Sequence, residues 1–318
     1  MKKILLVVSI TGFMFAEGKI GGVTYFDYSN TEKASGFNFQ RQYFGYVGEV
    51  SDQVNYKILF DVGRTNVGAA VIEKDTSYKS EDTRLVVFLK KAQINYKSSF
   101  GRFNFGLIGM NTYGVLESIW GYRFIEKSAI DKFFFSSTAD IGVGFSKSLI
   151  DNLNLSLLIV NGEGFKNPQG DKFQKIAFNA TYGESNLNKN DGYNGGLVYT
   201  TESTDTDPTT MTSVFGGFAG MGIRIGGEYD MQTISGVNKN IISVSANYTV
   251  RDNIDIFARY DIYDGDTSID NDGENYLVTG IVLTCDGGIS VAPNVRMITN
   301  EDDSESSTEY KVNFQFKF

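Results

Sequence analysis

Alternation of apolar and polar residues is the dominant pattern of this chain. In 310–318, Tyr, Val and Phe occupy every second position, and Lys, Asn and Gln fill the positions between them. A period of two places the two sets on opposite faces of a β-strand. Similar alternation recurs at 54–63, 223–231 and 254–263, with charged residues on the second face. The pattern therefore predicts amphipathic strands of about 9–11 residues, the length that a tilted strand needs to cross a bilayer.

Turn residues divide the chain into sixteen such strands, joined by connections that alternate between short and long. An even strand number with this asymmetry is typical of outer-membrane barrels. The sequence thus predicts an all-β fold, a closed antiparallel transmembrane β-barrel of about 16 strands in one domain over 17–318. Counts of 14 or 18 stay open because 193–201 and 212–218 are weakly patterned. The predicted strands are 19–29, 37–49, 54–63, 83–96, 101–110, 139–148, 153–161, 173–182, 193–201, 212–218, 222–232, 240–250, 254–263, 274–285, 289–298 and 309–318.

The first sixteen residues are typical of a cleaved export signal. Lys2 and Lys3 precede an apolar stretch from Ile4 to Phe15, and Ala16 is a small residue at the expected cleavage site. The stretch is too short for a stable membrane-spanning helix, and a buried N-terminal strand or helix is the alternative. Joined to the amphipathic strands, an export signal predicts a location in the bacterial outer membrane.

Composition excludes several kinds of chemistry. The chain has no His and a single Cys, Cys285, so histidine-based triads, histidine metal sites and cysteine clusters are absent. We therefore expect no enzyme activity and no cofactor. A net charge of −9 without a basic stripe argues against nucleic acid as a partner.

Acidic residues concentrate in three predicted outer loops. The spans 201–210, 264–274 and 299–309 hold thirteen Asp and Glu and no Lys or Arg. Such a rim attracts cations and repels anions over a short, salt-screened range. The spaced carboxylates of Asp264, Asp266, Asp270 and Asp272 are weak candidates for a Ca²⁺ site, although the run lacks the final Glu of a true calcium loop. A solvated loop is the alternative.

The segment 111–138, the third predicted outer loop, is 28 residues long and unusually apolar. Its aromatic residues require a surface to pack on, so we expect the loop to fold into the lumen and form a constriction. An outward lid or a trimer contact is the alternative. Mixed charges of this kind can build a transverse field across a pathway; they are Glu117, Arg123, Glu126, Lys127, Asp131 and Lys132.

Charged residues on the polar faces of the strands are candidates for a lumen wall that tunes selectivity. Each of them could instead only keep the wall wet or bridge to a neighbour. The candidates are Arg41, Lys57, Asp61, Arg224, Glu228, Asp230, Asp255, Arg259, Asp261 and Arg296.

Short motifs add a resemblance to a family. Glu126-Lys127-Ser128, the Asp140-x-Gly142-Val143 strand start and the run at 160–164 resemble segments of the phosphate-selective porins O and P and of related general porins. The resemblance implies a trimer of sixteen-stranded barrels with the third loop folded inward. No cluster of Lys and Arg corresponding to the family's basic ladder is evident along the chain.

The last strand resembles the C-terminal strand of outer-membrane barrels, which ends in an aromatic residue read by the insertion machinery. Tyr310, Phe316 and Phe318 fill that role here. The expected partners are outer-membrane lipid and lipopolysaccharide, the barrel insertion machinery, a homotrimer, and small hydrophilic solutes or ions.

These patterns predict a porin that forms a water-filled channel for passive diffusion. The main alternative is a structural or adhesive barrel with an occluded lumen, whose acidic loops form the working surface. A barrel enzyme using carboxylates alone and a soluble periplasmic β-protein are further alternatives.

Overall fold

A computed structural model describes residues 18–64, 67–73, 76–82, 84–302 and 306–318. Side chains between 65 and 83 are not described. The predicted export signal at 1–16 lies outside the described residues.

The described residues form eighteen strands, of which sixteen close into one antiparallel barrel. Strands β4 and β5 form a separate hairpin, so β3 pairs directly with β6. The strands are β1 Gly18–Asn30, β2 Ser35–Ser51, β3 Val54–Arg64, β4 Val67–Glu73, β5 Thr76–Asp82, β6 Leu85–Lys97, β7 Arg102–Gly109, β8 Ala139–Ile150, β9 Leu153–Val160, β10 Lys175–Gly183, β11 Gly192–Glu202, β12 Thr209–Gly220, β13 Ile223–Ile234, β14 Val237–Arg251, β15 Ile254–Asp264, β16 Glu274–Cys285, β17 Ile289–Asn300 and β18 Ser306–Lys317.

The barrel closes where β1 pairs with β18, in a register from Val23 opposite Lys317 to Asn30 opposite Tyr310. The predicted closed barrel of sixteen strands is therefore confirmed. The two weakly patterned strands are present as β11 and β12, and they pair with each other along eleven positions. Their glycines had weakened the apolar alternation without preventing the hydrogen-bonded ladder.

Two details differ from or refine the sequence prediction. The connection at 64–82 was predicted as a loop, but it contains the hairpin of β4 and β5. Pro293 lies inside β17 and has no N–H to donate, which predicts a bulge or a weak pairing at this position. Its strand keeps its register, and the ladder to β16 lacks the pairs between Gly280–Asn294 and Leu283–Val291. The missing donor of proline weakens the ladder without adding a residue to it.

The outer face of the barrel is apolar along its strands. On β13, Ile223, Ile225, Tyr229 and Met231 are exposed, whereas Arg224 and Asp230 on the opposite face are buried. On β18, Tyr310 and Phe316 are likewise exposed, and so is Phe318 directly after the strand. A continuous apolar band of this extent suits lipid rather than water.

The core lies inside the barrel, against the segment 110–138 that joins β7 to β8. This segment carries two short helices, α1 Gly114–Trp120 and α2 Ala129–Lys132. Helix α1 ends at Gly121, whose φ of 79° is the left-handed conformation that glycine adopts most easily. Helix residues Leu116, Ile119 and Ile130 belong to a buried apolar cluster with inward side chains of the strands. In the part of the chain that is described, no helix has the length and apolarity to cross a membrane.

Candidate channel constriction

The third loop, residues 110–138, lies against the inner face of strands β12–β18, and its first residues also reach β9 and β10. Six inward side chains donate hydrogen bonds to its backbone carbonyls. They are Asn179 to Asn111 at 3.0 Å, Arg224 to Trp120 at 3.1 Å, Gln232 to Phe135 at 2.7 Å, Arg259 to Lys127, Arg296 to Ile125 at 2.6 Å and Asn313 to Phe124 at 3.2 Å. These bonds satisfy backbone groups that have no secondary-structure partner, and they fix the loop to one side of the barrel.

Aromatic side chains directly after helix α1 and at its last residue anchor this loop to the wall. The rings of Trp120 and Tyr122 pack on Phe257, with centroids 5.8 and 5.5 Å away. The Tyr122 hydroxyl donates to Asp255 Oδ2 at 3.0 Å, and Trp120 Nε1 donates to the Glu126 carbonyl at 2.9 Å. Both aromatic residues thereby bury their rings and satisfy their polar atoms.

Glycines in the wall allow helix α1 to approach closely. The helix packs against β12, β13 and β14. A Cβ added at Gly226 would collide with the Ile119 side chain and lie 2.7 Å from the Gly216 carbonyl oxygen. The absence of a side chain at Gly226 therefore provides the space for the helix.

The connection 184–191 also folds inward, although it belongs to the end of the barrel with short turns. Ser118 Oγ donates to the Ser185 carbonyl at 3.0 Å and accepts from the Leu187 amide at 3.1 Å. Arg224 donates to Asn188 Oδ1 at 2.7 Å and to the Trp120 carbonyl at 3.1 Å. This support for α1 gives a physical reason for the length of this connection, which exceeds that of the other turns at the same end of the barrel.

The charged side chains of the third loop are mostly paired. Arg123 lies 3.5 Å from Glu117 and 3.2 Å from Asp131. Lys132 lies 2.7 Å from Glu274 on β16. Glu126 accepts from Arg296 at 3.0 Å and from the Tyr276 hydroxyl at 2.9 Å. Among the described residues, Lys127 forms no ion pair.

The environment changes the pKa values of three loop groups. Burial raises the pKa of Glu117, and the nearby Arg123 only partly opposes this effect. Burial also acts to raise the pKa of Glu126, but Arg296 and Arg259 outweigh it and hold the pKa below its usual value. Burial lowers the pKa of Lys127.

Most of the predicted wall residues on β13–β17 lie beneath the third loop. Arg224, Asp230, Arg259, Asp261 and Arg296 are all buried, and Glu228 is half-buried. They face inward as their strand positions predict, but the loop covers them, and of the six only Arg296 also lines the cavity between the loop and the wall. Strand periodicity gives the face of a residue; it does not show which other segment covers that face.

A small network organises the charges of this covered wall. Asp261 accepts from Arg259 Nε and Nη2 at 2.8 and 2.7 Å and from Ser243 Oγ at 2.7 Å. Both carboxylate oxygens of Asp230, and Oε2 of Glu228, are buried without a hydrogen-bond partner among the described residues. Arg259 is thus the cation at the centre of three acidic side chains.

On the opposite side, the wall formed by β2, β3 and β6 carries the remaining predicted residues. Arg41 Nε lies 3.0 Å from Asp61 Oδ1, and the buried Asp61 also pairs with Lys90 at 3.5 Å. Lys57 and Lys91 have no carboxylate within ion-pair distance in the described structure. Lys90 and Lys91 were missed by the sequence analysis.

A β-bulge explains how two consecutive lysines face the interior. In the β3–β6 ladder, Leu59 pairs with Lys91 and Phe60 with Leu89, so Lys90 is the extra residue. In a regular strand, one of two adjacent lysines would face lipid at a cost of about 2–4 kcal/mol near the bilayer midplane. The Lys90-Lys91 dipeptide inside a membrane strand was therefore a readable signal for a bulge.

A cavity of about 240 Å³ is lined by residues of the third loop and of β1, β2, β17 and β18. It brings together several predicted residues from both the loop and the wall. The polar side chains around it are Asp27, Gln40, Arg41, Arg123, Glu126, Lys127, Arg296, Lys311 and Asn313.

The weak calcium candidates do not form a cation site. No group of three or more acidic, Cys or His residues able to hold a metal ion is found in the described ranges, and these include 264–272. Asp266 instead accepts from the Ser268 amide at 3.0 Å and the Ser268 hydroxyl at 2.7 Å. These bonds lower the pKa of Asp266 and use its carboxylate to hold the local turn.

Comparison with known proteins identifies the fold. No family model and no curated protein matches the chain. Solved structures do match over 95–96% of this chain and 99% of theirs, each with a TM-score of 0.66. They include a loop L8 deletion mutant of OmpT from Vibrio cholerae (11% identity), an anion-selective porin from Comamonas acidovorans (11%) and the outer membrane channel DcaP of Acinetobacter baumannii (12%).

At these identities the likeness concerns the fold alone. The chain has the fold of bacterial outer-membrane porins, a closed sixteen-stranded β-barrel. The narrower resemblance to the phosphate-selective porins O and P has no counterpart in these comparisons and stays a prediction.

Proposed function

We propose that this protein is an outer-membrane porin, a channel for the passive diffusion of small hydrophilic or ionic solutes. The observation that carries the proposal is the one-sided position of the third loop. The loop is hydrogen-bonded mainly to β12–β18, and within the part of the chain whose side chains are described no loop is bonded in this way over the charged inner faces of β2, β3 and β6. In a structural barrel with an occluded lumen, unpaired charges on the inner face would have no function and would be costly to bury.

Charge on both sides of the pathway supports selection by field as well as by size. Glu117, Arg123 and Asp131 belong to the loop, and Arg41 and Lys57 to the wall. Fixed charges at a narrow point act strongly because little water screens them. In this proposal the loop and the wall charges together determine which solutes pass.

The cellular setting follows from the same proposal. The residues 1–16 direct export, and Tyr310, Phe316 and Phe318 present the final strand to the insertion machinery. The exposed apolar band contacts outer-membrane lipid and lipopolysaccharide. One structural neighbour is a trimer form of OmpT from Vibrio cholerae, with 12% identity and a TM-score of 0.59, and we extend trimeric assembly to this chain as part of the proposal.

Site-directed labelling of a conducting channel tests the function. Purified protein in a planar bilayer is expected to give stable, stepwise conductance. Lys57→Cys and Ile58→Cys, each in a Cys285→Ser background, place a thiol on the two faces of β3 at adjacent positions. A negatively charged, water-soluble thiol reagent should alter the current through Lys57→Cys channels and leave Ile58→Cys channels unchanged.

The same experiment separates the porin from its alternative. A correctly folded barrel that never conducts would favour a structural or adhesive role with an occluded lumen. Equal reagent sensitivity at the two positions would contradict the inward orientation of Lys57.

A further inference from the structure

We propose that the wall formed by β2, β3 and β6 binds organic anions that carry an aromatic ring, so that the pathway prefers aromatic carboxylates although the chain is acidic overall. This inference rests on the proposed channel function and names its substrate class. The wall residues that carry it are called the basic strip: Arg41, Lys57, Lys90 and Lys91.

The first observation is an excess of positive charge. The four cations of the basic strip form ion pairs with one described carboxylate, Asp61, which pairs with Arg41 and Lys90. Lys57 and Lys91 are diagonal neighbours on the inner face, since Lys57 pairs with Gln93 and Leu59 pairs with Lys91. Glu117 of the third loop lies opposite the strip, so four cations face two carboxylates among the described residues, and positive charge is still in excess. The net charge of −9 for the whole chain gives no indication of this local excess.

The second observation is that the backbone is shaped to place these cations. The bulge at Lys90 brings both lysines inside. A second bulge in the β1–β2 ladder, where Tyr25 pairs with Arg41 and Phe26 with Phe39, brings Gln40 and Arg41 inside together. Gly109 on β7 leaves room for Lys91, because a Cβ there would collide with its Nζ atom.

The third observation is a set of aromatic rings among the cations. Lys90 Nζ lies 4.8 Å from the centroid of the Tyr43 ring and 5.3 Å from that of Phe165. Phe165, from the connection between β9 and β10, stacks on Phe88 of β6 at 5.8 Å. Tyr43, Phe88 and Phe165 are each half-buried, so part of their surface stays accessible. Cation–π contacts keep ammonium groups and ring faces side by side.

These features fit an organic anion better than a bare inorganic one. An inorganic anion would use the lysines alone and gain nothing from accessible rings. An aromatic carboxylate can place its charge beside Lys57 or Lys91 and its ring against Tyr43 or Phe165. Ring contacts of this kind add binding energy that corresponds to about tenfold in affinity.

Reversal potentials in a KCl gradient test the charge part of the proposal. The native channel is expected to prefer chloride, and Lys57→Gln/Lys91→Gln should shift the reversal potential towards potassium. Lys172→Gln/Lys175→Gln is the matched control, because it also removes two positive charges, but from lysines that each have their own carboxylate partner and that line neither the cavity nor the basic strip. A native preference for potassium, or equal shifts in the two double variants, would overturn the proposal.

Competition between anions tests the ring part. Sodium benzoate should reduce the chloride current at about one tenth of the concentration that sodium acetate requires. Phe165→Leu should bring benzoate to the level of acetate while leaving the reversal potential unchanged. Equal inhibition by the two anions in the native channel would overturn the aromatic specificity. If the correctly folded native protein shows no conductance at all, the result would instead contradict the channel function itself.

Discussion

The two sides of the barrel interior differ in whether their cationic side chains are paired with carboxylates. Beneath the third loop, Arg259 pairs with Asp261 and Arg296 pairs with Glu126, and both arginines are almost fully buried. On the basic strip, Lys57 and Lys91 have no described carboxylate partner and are only half-buried. A buried unpaired charge costs several kcal/mol, whereas a charge in contact with water costs little. The two arginines covered by the loop are therefore paired, whereas the two half-buried lysines of the basic strip are not.

The largest effect that this comparison predicts is at Arg259. Arg259→Met removes the positive charge that offsets Asp261, Glu228 and Asp230. It also removes the hydrogen bond to the Lys127 carbonyl. We expect a loss of about 3–5 kcal/mol in the free energy of unfolding. Urea unfolding of the folded barrel in detergent measures it.

The matched variant is Arg41→Met on the basic strip. Asp61 is buried but would keep Lys90 as a partner, so the loss should be smaller than at Arg259, at about 1–2 kcal/mol. Similar losses for the two variants would show that the covered and uncovered walls do not differ in this way.

The next effect concerns the glycines under helix α1. Gly226→Ala would press a methyl group into Ile119 and the Gly216 carbonyl, and we expect a destabilisation of about 1–3 kcal/mol from overpacking. Conductance noise should rise as the loop loosens. Gly195→Ala on the lipid face is the control, because its Cβ would meet only the Phe215 carbonyl at an ordinary 3.6 Å. An unaltered Gly226→Ala protein would mean that α1 is not seated on this wall.

A smaller effect is expected from pH. Because burial raises the pKa of Glu117, this carboxyl takes up a proton at a higher pH than an ordinary glutamate. Acidification then removes a negative charge opposite the basic strip, and chloride preference should increase in a pH range above the usual carboxyl value. In the same range the folded protein holds more protons than the unfolded chain, so stability falls as pH rises through it.

Reversal potentials measured across pH check this step. Glu117→Gln should show the acid-form selectivity at neutral pH and lose the step. A step that persists in Glu117→Gln would assign it to another group and detach the loop from the control of selectivity.

Sequence reasoning was accurate where a residue's own position determines its environment. Alternation gave the sixteen strands and the faces of Lys57 and Arg259, because the pleat is a local property. It failed where distant segments meet: nothing near Arg259 in the chain indicates that residues 110–138 will cover it. The bulge at Lys90 lies between these cases, since the two adjacent lysines carried a signal that strict alternation concealed.

The smallest predicted effect is at the acidic outer loops. These loops carry much of the negative charge of the chain. The carboxylate of Asp266 nevertheless accepts hydrogen bonds from Ser268, and the described structure brings no metal-binding group together there. We expect the thermal unfolding temperature to be insensitive to Ca²⁺ both in the native protein and in the variant Asp266→Asn/Asp270→Asn/Asp272→Asn.

The same variant tests the range of the rim charges. At about 0.15 M salt the Debye length is about 8 Å, so the ion selectivity of a constriction that lies further than this from the outer loops should hardly change. At about 0.01 M salt the screening length reaches about 30 Å, and the variant should favour anions slightly more than the native channel. A large change at physiological salt would place the selectivity of this channel at its acidic rim, and the basic strip would then no longer be its determinant.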